Sequence, residues 1–460
     1  MNWRKPIIET LLFLTGNDMM SRYRRIKQWA RRPREEIKQL QENRLKDLLV
    51  YAYRNVPYYH RMFEQHHLVE ESGKVNLENW SRIPFLTKDI IRRRFHDLVS
   101  RTASRRHCYE NTSGGSTGEP VKFIQDRDYK IGDMAAHVFF SNFSGKEIGE
   151  PELKLWGSQR DVFEGSLGTR EKLQNFLYNR LLLNSFRMEY SELSDYIKKW
   201  NAFRPKVVWA YVDSIYEITR YIEEHSIEVY PPKAVIATAG TLFPQMRTRM
   251  EKVLKTRVLN QYGSREVGAI ACECMEQNGL HMFEWKHLLE IVDAEGRVCP
   301  PGEEGEIVIT NLENYSMPLV RFKIEDTGAW SETTCSCEYN LSLLENVTGR
   351  ITDHFIRRDG SLFHGQYFGF LLFYTPWVKK FQFVQKDYDL VKVYIVLAGE
   401  KDPEKLKFVE EKTKLVLDKD CRVEFEFVEE IPPTKSGKFL YTVSEVFQRK
   451  RQSNSEKAKG

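Results

Sequence analysis

Charge of one sign, long apolar runs and cysteine are all scarce in this chain of 460 residues. Its 70 Lys and Arg against 65 Asp and Glu leave a net charge of +5, too balanced for a surface built to hold nucleic acid. No apolar run approaches the ~18 residues needed to cross a bilayer. The stretch 7-IIETLLFL-14 follows Arg4 and Lys5 as a leader would, yet Glu9 interrupts it and no small-residue cleavage site follows. Seven cysteines over this length do not make a disulfide scaffold and point to a reducing, cytoplasmic setting. No internal repeat is visible.

What remains is the composition of an ordinary globular protein, 41% hydrophobic and 29% charged, with length enough for more than one core. The first ~105 residues read as mostly helical. Apolar positions recur at helical spacing in 45-LKDLLVYAYRNV-56 before Pro57, and Thr87 is placed to cap a helix over 87–95. From ~120 to ~310, strand patterns (206-KVVWAY-211, 233-KAVIATA-239, 256-TRVLNQY-262, 304-EGEIVIT-310) alternate with amphipathic helices such as 213–225. That alternation predicts an α/β layered core with parallel strands, a large domain over residues 1–350. Strand patterns at 381–385, 391–397 and 422–428, with a charged helix near 403–416, predict a small α+β domain over 351–460. Residues 1–40 form a basic amphipathic extension. In 22-RYRRIKQWARRPR-34, Ile26 and Trp29 lie among cations. The segment either lies on the inner, anionic face of a membrane or packs its apolar side on the main domain, the commoner arrangement for such a helix.

The chemistry is concentrated in a few short stretches. The run 111-NTSGGSTGEPVKF-123 is rich enough in glycine and hydroxyls to let a backbone approach phosphates closely. It matches neither the G-x-x-x-x-G-K-[ST] loop nor the G-x-G-x-x-G dinucleotide turn. Four further stretches follow in order: 261-QYGSREVG-268, 319-LVRFKIEDTG-328, 349-GRITD-353 and 432-PPTKSGK-438. Together these five motifs, spread over ~330 residues, resemble those of the adenylate-forming superfamily of acyl-CoA synthetases, luciferases and adenylation domains. The wording Q-Y-G-S-R-E and the stretch 279-GLHMFE-284 look most like the phenylacetate–CoA ligase branch and its CapK-like relatives from capsule polysaccharide pathways.

The resemblance implies a ligase that joins a carboxylic acid to ATP as an acyl-adenylate, releases pyrophosphate and passes the acyl group to a thiol such as CoA. It implies that Thr112, Ser113, Gly114, Gly115, Ser116, Thr117 and Gly118 hold the triphosphate, while Ala239, Gly240, Gln261, Tyr262, Gly263 and Ser264 line the nucleotide cleft. Glu266 would help hold Mg²⁺, whose preference is for hard carboxylate and phosphate oxygens. Asp326 would receive the ribose hydroxyls, Arg350 would pair with phosphate, and Lys438, on a mobile C-terminal loop, would bridge the acid and the α-phosphate. Asp353 would be the hinge on which the small domain turns. Two departures stand out: the core of the family's R-T-G-D motif appears here as Lys323-Ile324-Glu325-Asp326, and Tyr441 stands where the family has a basic residue. By the same resemblance the acyl pocket draws on 207–214 and 236–241, where Trp209 and Tyr211 offer stacking surfaces for an aryl acid. A CapK-like enzyme would instead pass the acyl group to a sugar hydroxyl or amine. A non-catalytic nucleotide-binding scaffold is the third reading, which intact Lys438, Glu266 and Asp326 oppose.

The cysteines cluster. Cys272 and Cys274 follow the Tyr262 motif, His281 comes soon after, and Cys335 and Cys337 follow Asp326. Cys274, His281, Cys335 and Cys337 are the candidate ligands of a closed tetrahedral Zn²⁺ site, with Cys272 as the alternative.

Overall fold

The computed structural model describes residues 2–113, 121–156, 169–185, 192–240, 242, 244–293, 295–348, 355–359, 362–363, 365–372, 375–431, 442–446 and 449. They form two compact units, the first ending in the strand at 343–348 and the second beginning at Phe355.

The first unit opens with five helices: α1 (Arg4–Leu14), α2 (Met19–Trp29), α3 (Arg34–Asn55), α4 (Pro57–Gln65) and α5 (Lys88–Leu98). Helix α3 begins eleven residues before the apolar repeat that betrays it, because its first half is charged and solvent-facing. Pro57, expected only as a stop, is also the first residue of α4, where a fixed φ and a missing N–H cost nothing. Thr87 caps α5 as expected, its Oγ1 accepting from the Ile90 N–H. The basic segment after Met19 does not lie open: Ile26 and Trp29 are buried in the core that α2 shares with α6 (Arg127–Phe143).

An antiparallel hairpin, β1 (Tyr109–Thr112) with β2 (Lys122–Gln125), flanks the glycine-rich loop. The centre of the unit is an eleven-stranded sheet. Its parallel half contains β3 (Glu152–Trp156), β4 (Arg180–Asn184), β5 (Val207–Tyr211), β6 (Ala234–Thr238) and β7 (Arg257–Ser264), in the order β4-β3-β5-β6-β7. Helices α7 (Thr169–Leu177), α8 (Leu193–Phe203), α9 (Val212–Glu224) and α10 (Pro244–Leu254) alternate with these strands. Strand alternation divides the burial on β5. Val207 and Trp209 face α2 and α6, while Val208 and Ala210 face α8, α9 and α10. Strands covered on both faces read as continuous apolar runs, which is why they were visible in the sequence. Each such side chain, fully buried, contributes ~1.5–3 kcal/mol.

The other half corrects the expectation of a parallel core. Strands β8 (Gly268–Glu273), β9 (Leu280–Met282), β10 (His287–Val292), β11 (Gly305–Asn311), β12 (Phe322–Trp330) and β13 (Leu343–Thr348) all pair antiparallel, including the stretch at 304–310. Short links of this kind, such as 265–267 between β7 and β8, cannot make the crossover a parallel pair needs. Helices α3 and α4 cover this half through Leu45, Leu48, Tyr59 and Phe63.

The second unit is α+β. Strands β14 (Phe355–Ile356) and β15 (Leu362–Phe363) form a hairpin, and a four-stranded sheet runs β18-β17-β16-β19. Its members are β16 (Val378–Asp387), β17 (Leu390–Leu397), β18 (Arg422–Phe427) and β19 (Thr442–Ser444), with helices α11 (Gln366–Leu372) and α12 (Pro403–Val416). Helix α12 is the crossover between the parallel strands β17 and β18. Phe355, Phe368, Phe383 and Val393 fill its core.

Candidate functional site

Strand β7 delivers the Tyr262 motif and β12 the Asp326 motif. Tyr262 Oη donates to Asp326 Oδ2 at 2.8 Å, joining two stretches 64 residues apart. Gln261 is buried beside them; its Oε1 accepts from Thr238 Oγ1 at 2.5 Å, and its Nε2 donates to the Tyr262 carbonyl at 2.8 Å. At Gly263 a Cβ would stand 2.8 Å from the Gly268 carbonyl oxygen and 3.0 Å from Gln261 Nε2, so only glycine fits. Ala239 turns the chain out of β6 with φ +59°, and Gly240 follows it at the strand's C-terminal end. Ser264 ends β7 and holds the turn, its Oγ accepting from the Val267 N–H at 3.4 Å.

Asp326 owes its direction to an irregularity. The β11–β12 register slips between Glu306 and Val308, and Glu325 sits in the left-handed region at φ +71°. Bulges re-aim side chains in this way. Glu325 occupies the place of the family motif's glycine, and its carboxylate is held by Lys88 Nζ at 2.8 Å. Thus the departure noted in the sequence puts a glutamate in a backbone conformation that glycine favours and adds an ion pair from α5.

Glu266 lies in the β7–β8 turn and is buried, 6% exposed, yet its carboxylate makes no hydrogen bond or ion pair with any described residue. Its backbone is fixed from β2. Gln125 Nε2 donates to the Arg265 and Glu266 carbonyls at 2.9 and 3.3 Å, while Gln125 Oε1 accepts from Asn111 Nδ2 on β1 at 3.1 Å. The hairpin bearing the glycine-rich loop and the turn bearing Glu266 therefore share one amide. At the loop's base, Ser113 and Val121 close a ring. The Ser113 N–H donates to the Val121 carbonyl at 2.9 Å, and Ser113 Oγ accepts from the Val121 N–H at 2.8 Å. The Ser113 hydroxyl is thus half committed to shaping the loop. Thr112 lies in β1, its N–H donating to Asn111 Oδ1. Gly114, Gly115, Ser116, Thr117, Gly118, Arg350, Asp353 and Lys438 lie outside the described residues.

Behind the motif, Lys286 is wholly buried and donates to Asp133 Oδ1 at 2.6 Å; the same oxygen accepts from the Ala269 N–H at 3.0 Å. Burial alone would raise the Asp133 carboxyl, but Lys286 and His137 more than offset it and hold it well below the usual carboxylate range. A Cβ on Gly268, itself at φ +79°, would strike Asp133 Oδ1 at 2.1 Å, which explains the motif's last glycine. Arg321, in the Asp326 motif, is also structural. It pairs with Glu290 at 2.9 Å and donates to the Ile83 carbonyl at 2.6 Å, pinning the segment before α5.

Among the aromatic candidates, Trp209 is a core residue, its Nε1 on Ser141 Oγ at 3.3 Å, and is not free to stack on a ligand. Tyr211 is partly exposed and lies 4.5 Å, ring to ring, from Trp156, which the sequence did not single out.

The ligand atoms of Cys274, His281, Cys335 and Cys337 all lie within 4.8 Å of one another. The Cys274 and Cys335 sulfurs are 3.6 Å apart, and Cys337 Sγ is 3.4 Å from His281 Nε2. A zinc tetrahedron with metal–sulfur bonds of about 2.3 Å has edges of about 3.8 Å, so the donor set fits the ion. Cys272 does not join: it is buried in the core and its Sγ donates to the Glu273 carbonyl. The hydrogen bond to Cys337, and then burial, push the Cys274 thiol up to about 12, while Cys337 is lowered by the same bond. Phe143 walls the cluster, 5.3 Å from the His281 ring.

Residues 355–445 match the family model described as the CapK C-terminal domain. Protein CapK of Staphylococcus aureus is 25% identical over 419 residues, covering 89% of this chain and 90% of its own. The phenylacetate-coenzyme A ligase of Thermus thermophilus is 26% identical over 361 residues, covering 76% and 79%. Among solved structures, a 2-hydroxyisobutyryl-CoA ligase with 2-HIB-AMP and CoA superposes with TM-score 0.63 at 18% identity, covering 92% of this chain and 93% of that one; this likeness speaks for the fold. The chain therefore has the fold of the acyl-CoA ligases, and the proteins it is similar to include CapK and phenylacetate-coenzyme A ligases.

Proposed function

We propose that the protein activates a carboxylic acid with ATP and then transfers the acyl group to the thiol of CoA. In the first step a carboxylate oxygen attacks the α-phosphorus, the bond to the β-phosphate oxygen breaks, and pyrophosphate leaves. In the second, a thiolate sulfur attacks the acyl carbonyl and AMP leaves. The observation that carries this reading is the Tyr262–Asp326 hydrogen bond, which sets an aromatic face and a ribose-type acceptor side by side. Glu266 supports it as a buried carboxylate whose oxygens no described residue engages, suited to Mg²⁺. That ion, when bound, would spread the negative charge of the triphosphate. Lys438 is assigned by motif to bridge the acid and the α-phosphate, Arg350 to pair with phosphate and Asp353 to the hinge, with the domains dividing near residue 350. Tyr211 and Trp156 favour an acid with a flat face. Zinc in the Cys/His cluster is assigned a structural part, since all four positions are protein ligands.

A second reading has one specific support. The small unit matches the CapK C-terminal domain, and CapK covers nearly the whole chain. The acceptor would then be a hydroxyl or amine on a sugar. One assay separates the two: carboxylate-dependent pyrophosphate release over a panel of aryl, fatty and hydroxy acids, with CoA or amino sugars added. Release without consumption of CoA thiol by any acid would favour the sugar acceptor, and no release with any acid would sink both.

A further inference from the structure

Helix α1 has a buried apolar face and an exposed one. Ile8 is buried, and Leu12 packs with it into the core shared with α2 and α6. Away from that core, Trp3, Ile7, Leu11 and Leu14 recur at helical spacing and are 50%, 40%, 42% and 72% exposed, beside Phe13 at 81%. A contiguous apolar stripe left in solvent marks a contact surface. Exposed Leu173 and Phe176 of α7 extend the stripe: Arg4 Nε donates to the Phe176 carbonyl, and its guanidinium lies over both the Trp3 and Phe176 rings.

Cations gather at the far end of the same helix. An open cavity of about 720 Å³ begins at Gly16 and is lined by Arg22, Arg105, Arg106, His107 and Arg127, against Asp18 and Asp128. Both aspartates are spent on Arg22, at 2.9 and 3.0 Å. The Arg105 and His107 side chains make no hydrogen bond or ion pair with any described residue. The cavity lies at the end of the β1–β2 hairpin opposite the Ser113–Val121 clasp, so it is separate from the nucleotide site.

We propose that α1, α7 and this cavity form one docking surface for an anionic membrane. The apolar stripe enters the boundary between headgroups and acyl chains, and the arginine cavity receives a headgroup phosphate. Helix α1, with eleven residues, is about 16 Å long, a length for lying in the interface and not for crossing it. Charge decides against a second copy of this chain as the occupant. A twofold contact through the stripe would set the two cation-rich ends of the molecule on one shared interface, where like charges repel.

The test is co-sedimentation of the full chain with phosphatidylcholine vesicles, with and without phosphatidylglycerol. Binding is expected on the anionic vesicles alone, weakening with salt. It should fall roughly 10-fold or more in the Phe13→Asp/Leu14→Asp variant and comparably in Arg105→Glu/Arg127→Glu. All four positions border solvent, so thermal melting should stay at the wild-type value and separate lost docking from lost folding. Failure of the wild type to bind anionic vesicles would overturn the proposal, as would equal binding by both variants. A wild-type dimer that Leu14→Asp dissociates, without vesicle binding, would overturn it in favour of self-association. None of these readouts depends on adenylation, so the ligase reading stands or falls separately.

Discussion

The Tyr262–Asp326 corner, where the parallel and antiparallel halves of the large sheet meet, and the cysteine cluster on the antiparallel half are built on opposite plans. At the corner the groups come from separate stretches of chain: Tyr262 and Asp326 hold each other, Ser113 Oγ accepts from the Val121 N–H, and the Glu266 carboxylate makes no hydrogen bond or ion pair with any described residue. In the cluster, Cys274, His281, Cys335 and Cys337 turn every donor inward upon one point. The first is the set proposed to take a ligand that comes and goes. The second is closed, and the ion that fits it would belong to the fold.

Substitutions should divide along the same line. The largest effect is expected at the cluster. Cys335→Ser with Cys337→Ser should bring bound zinc from one per chain to near zero by elemental analysis and lower Tm by roughly 5–10 °C. A full melting temperature in zinc-free protein would erase the contrast. Next, Glu266→Gln should slow carboxylate-dependent pyrophosphate release about 100-fold while leaving Tm within ~2 °C, because it removes charge and no packing. Gly263→Ala crosses the divide: its Cβ has no room, so it should cost both ~1–3 kcal/mol of stability by denaturant titration and ~10-fold in rate. The smallest effect is expected for Tyr262→Phe, which removes one hydrogen bond, worth about 1 kcal/mol. KM for ATP should rise about 5-fold with kcat nearly unchanged; an equal loss in kcat would give the hydroxyl a part in the transition state.

The sequence disclosed what depends on residue type and chain order. The parallel strands were legible because burial on both faces makes them apolar throughout, and the four zinc-type ligands because cysteine and histidine are rare enough to be noticed together. It concealed what depends on distance. Nothing marks Gln125 as the bridge between two motifs 140 residues apart, or Asp133 and Lys286 as the support behind Gly268. Arg321 stood inside a recognised motif, yet its role as a clamp on Ile83 and Glu290 has no local signature. The antiparallel half was misread because its strand at 304–310 has the same apolar run as a parallel one; only the pairing tells them apart. At the N-terminus the two apolar signals exchanged meanings. Ile26 and Trp29, ringed by cations, are core, while the stretch dismissed for its interrupting Glu9 is the exposed one, with Glu9 occupied by Arg24 at 2.8 Å.

The Gln125 amide has a further consequence. It is a single rigid plane with its oxygen on one partner and its nitrogen on another, so the hairpin and the Glu266 turn cannot drift apart without one of them losing its bond. Whatever occupies the loop and whatever occupies the carboxylate then share a common strut. Each would sense the other's arrival, and by thermodynamic reciprocity the gain in affinity must be equal in both directions.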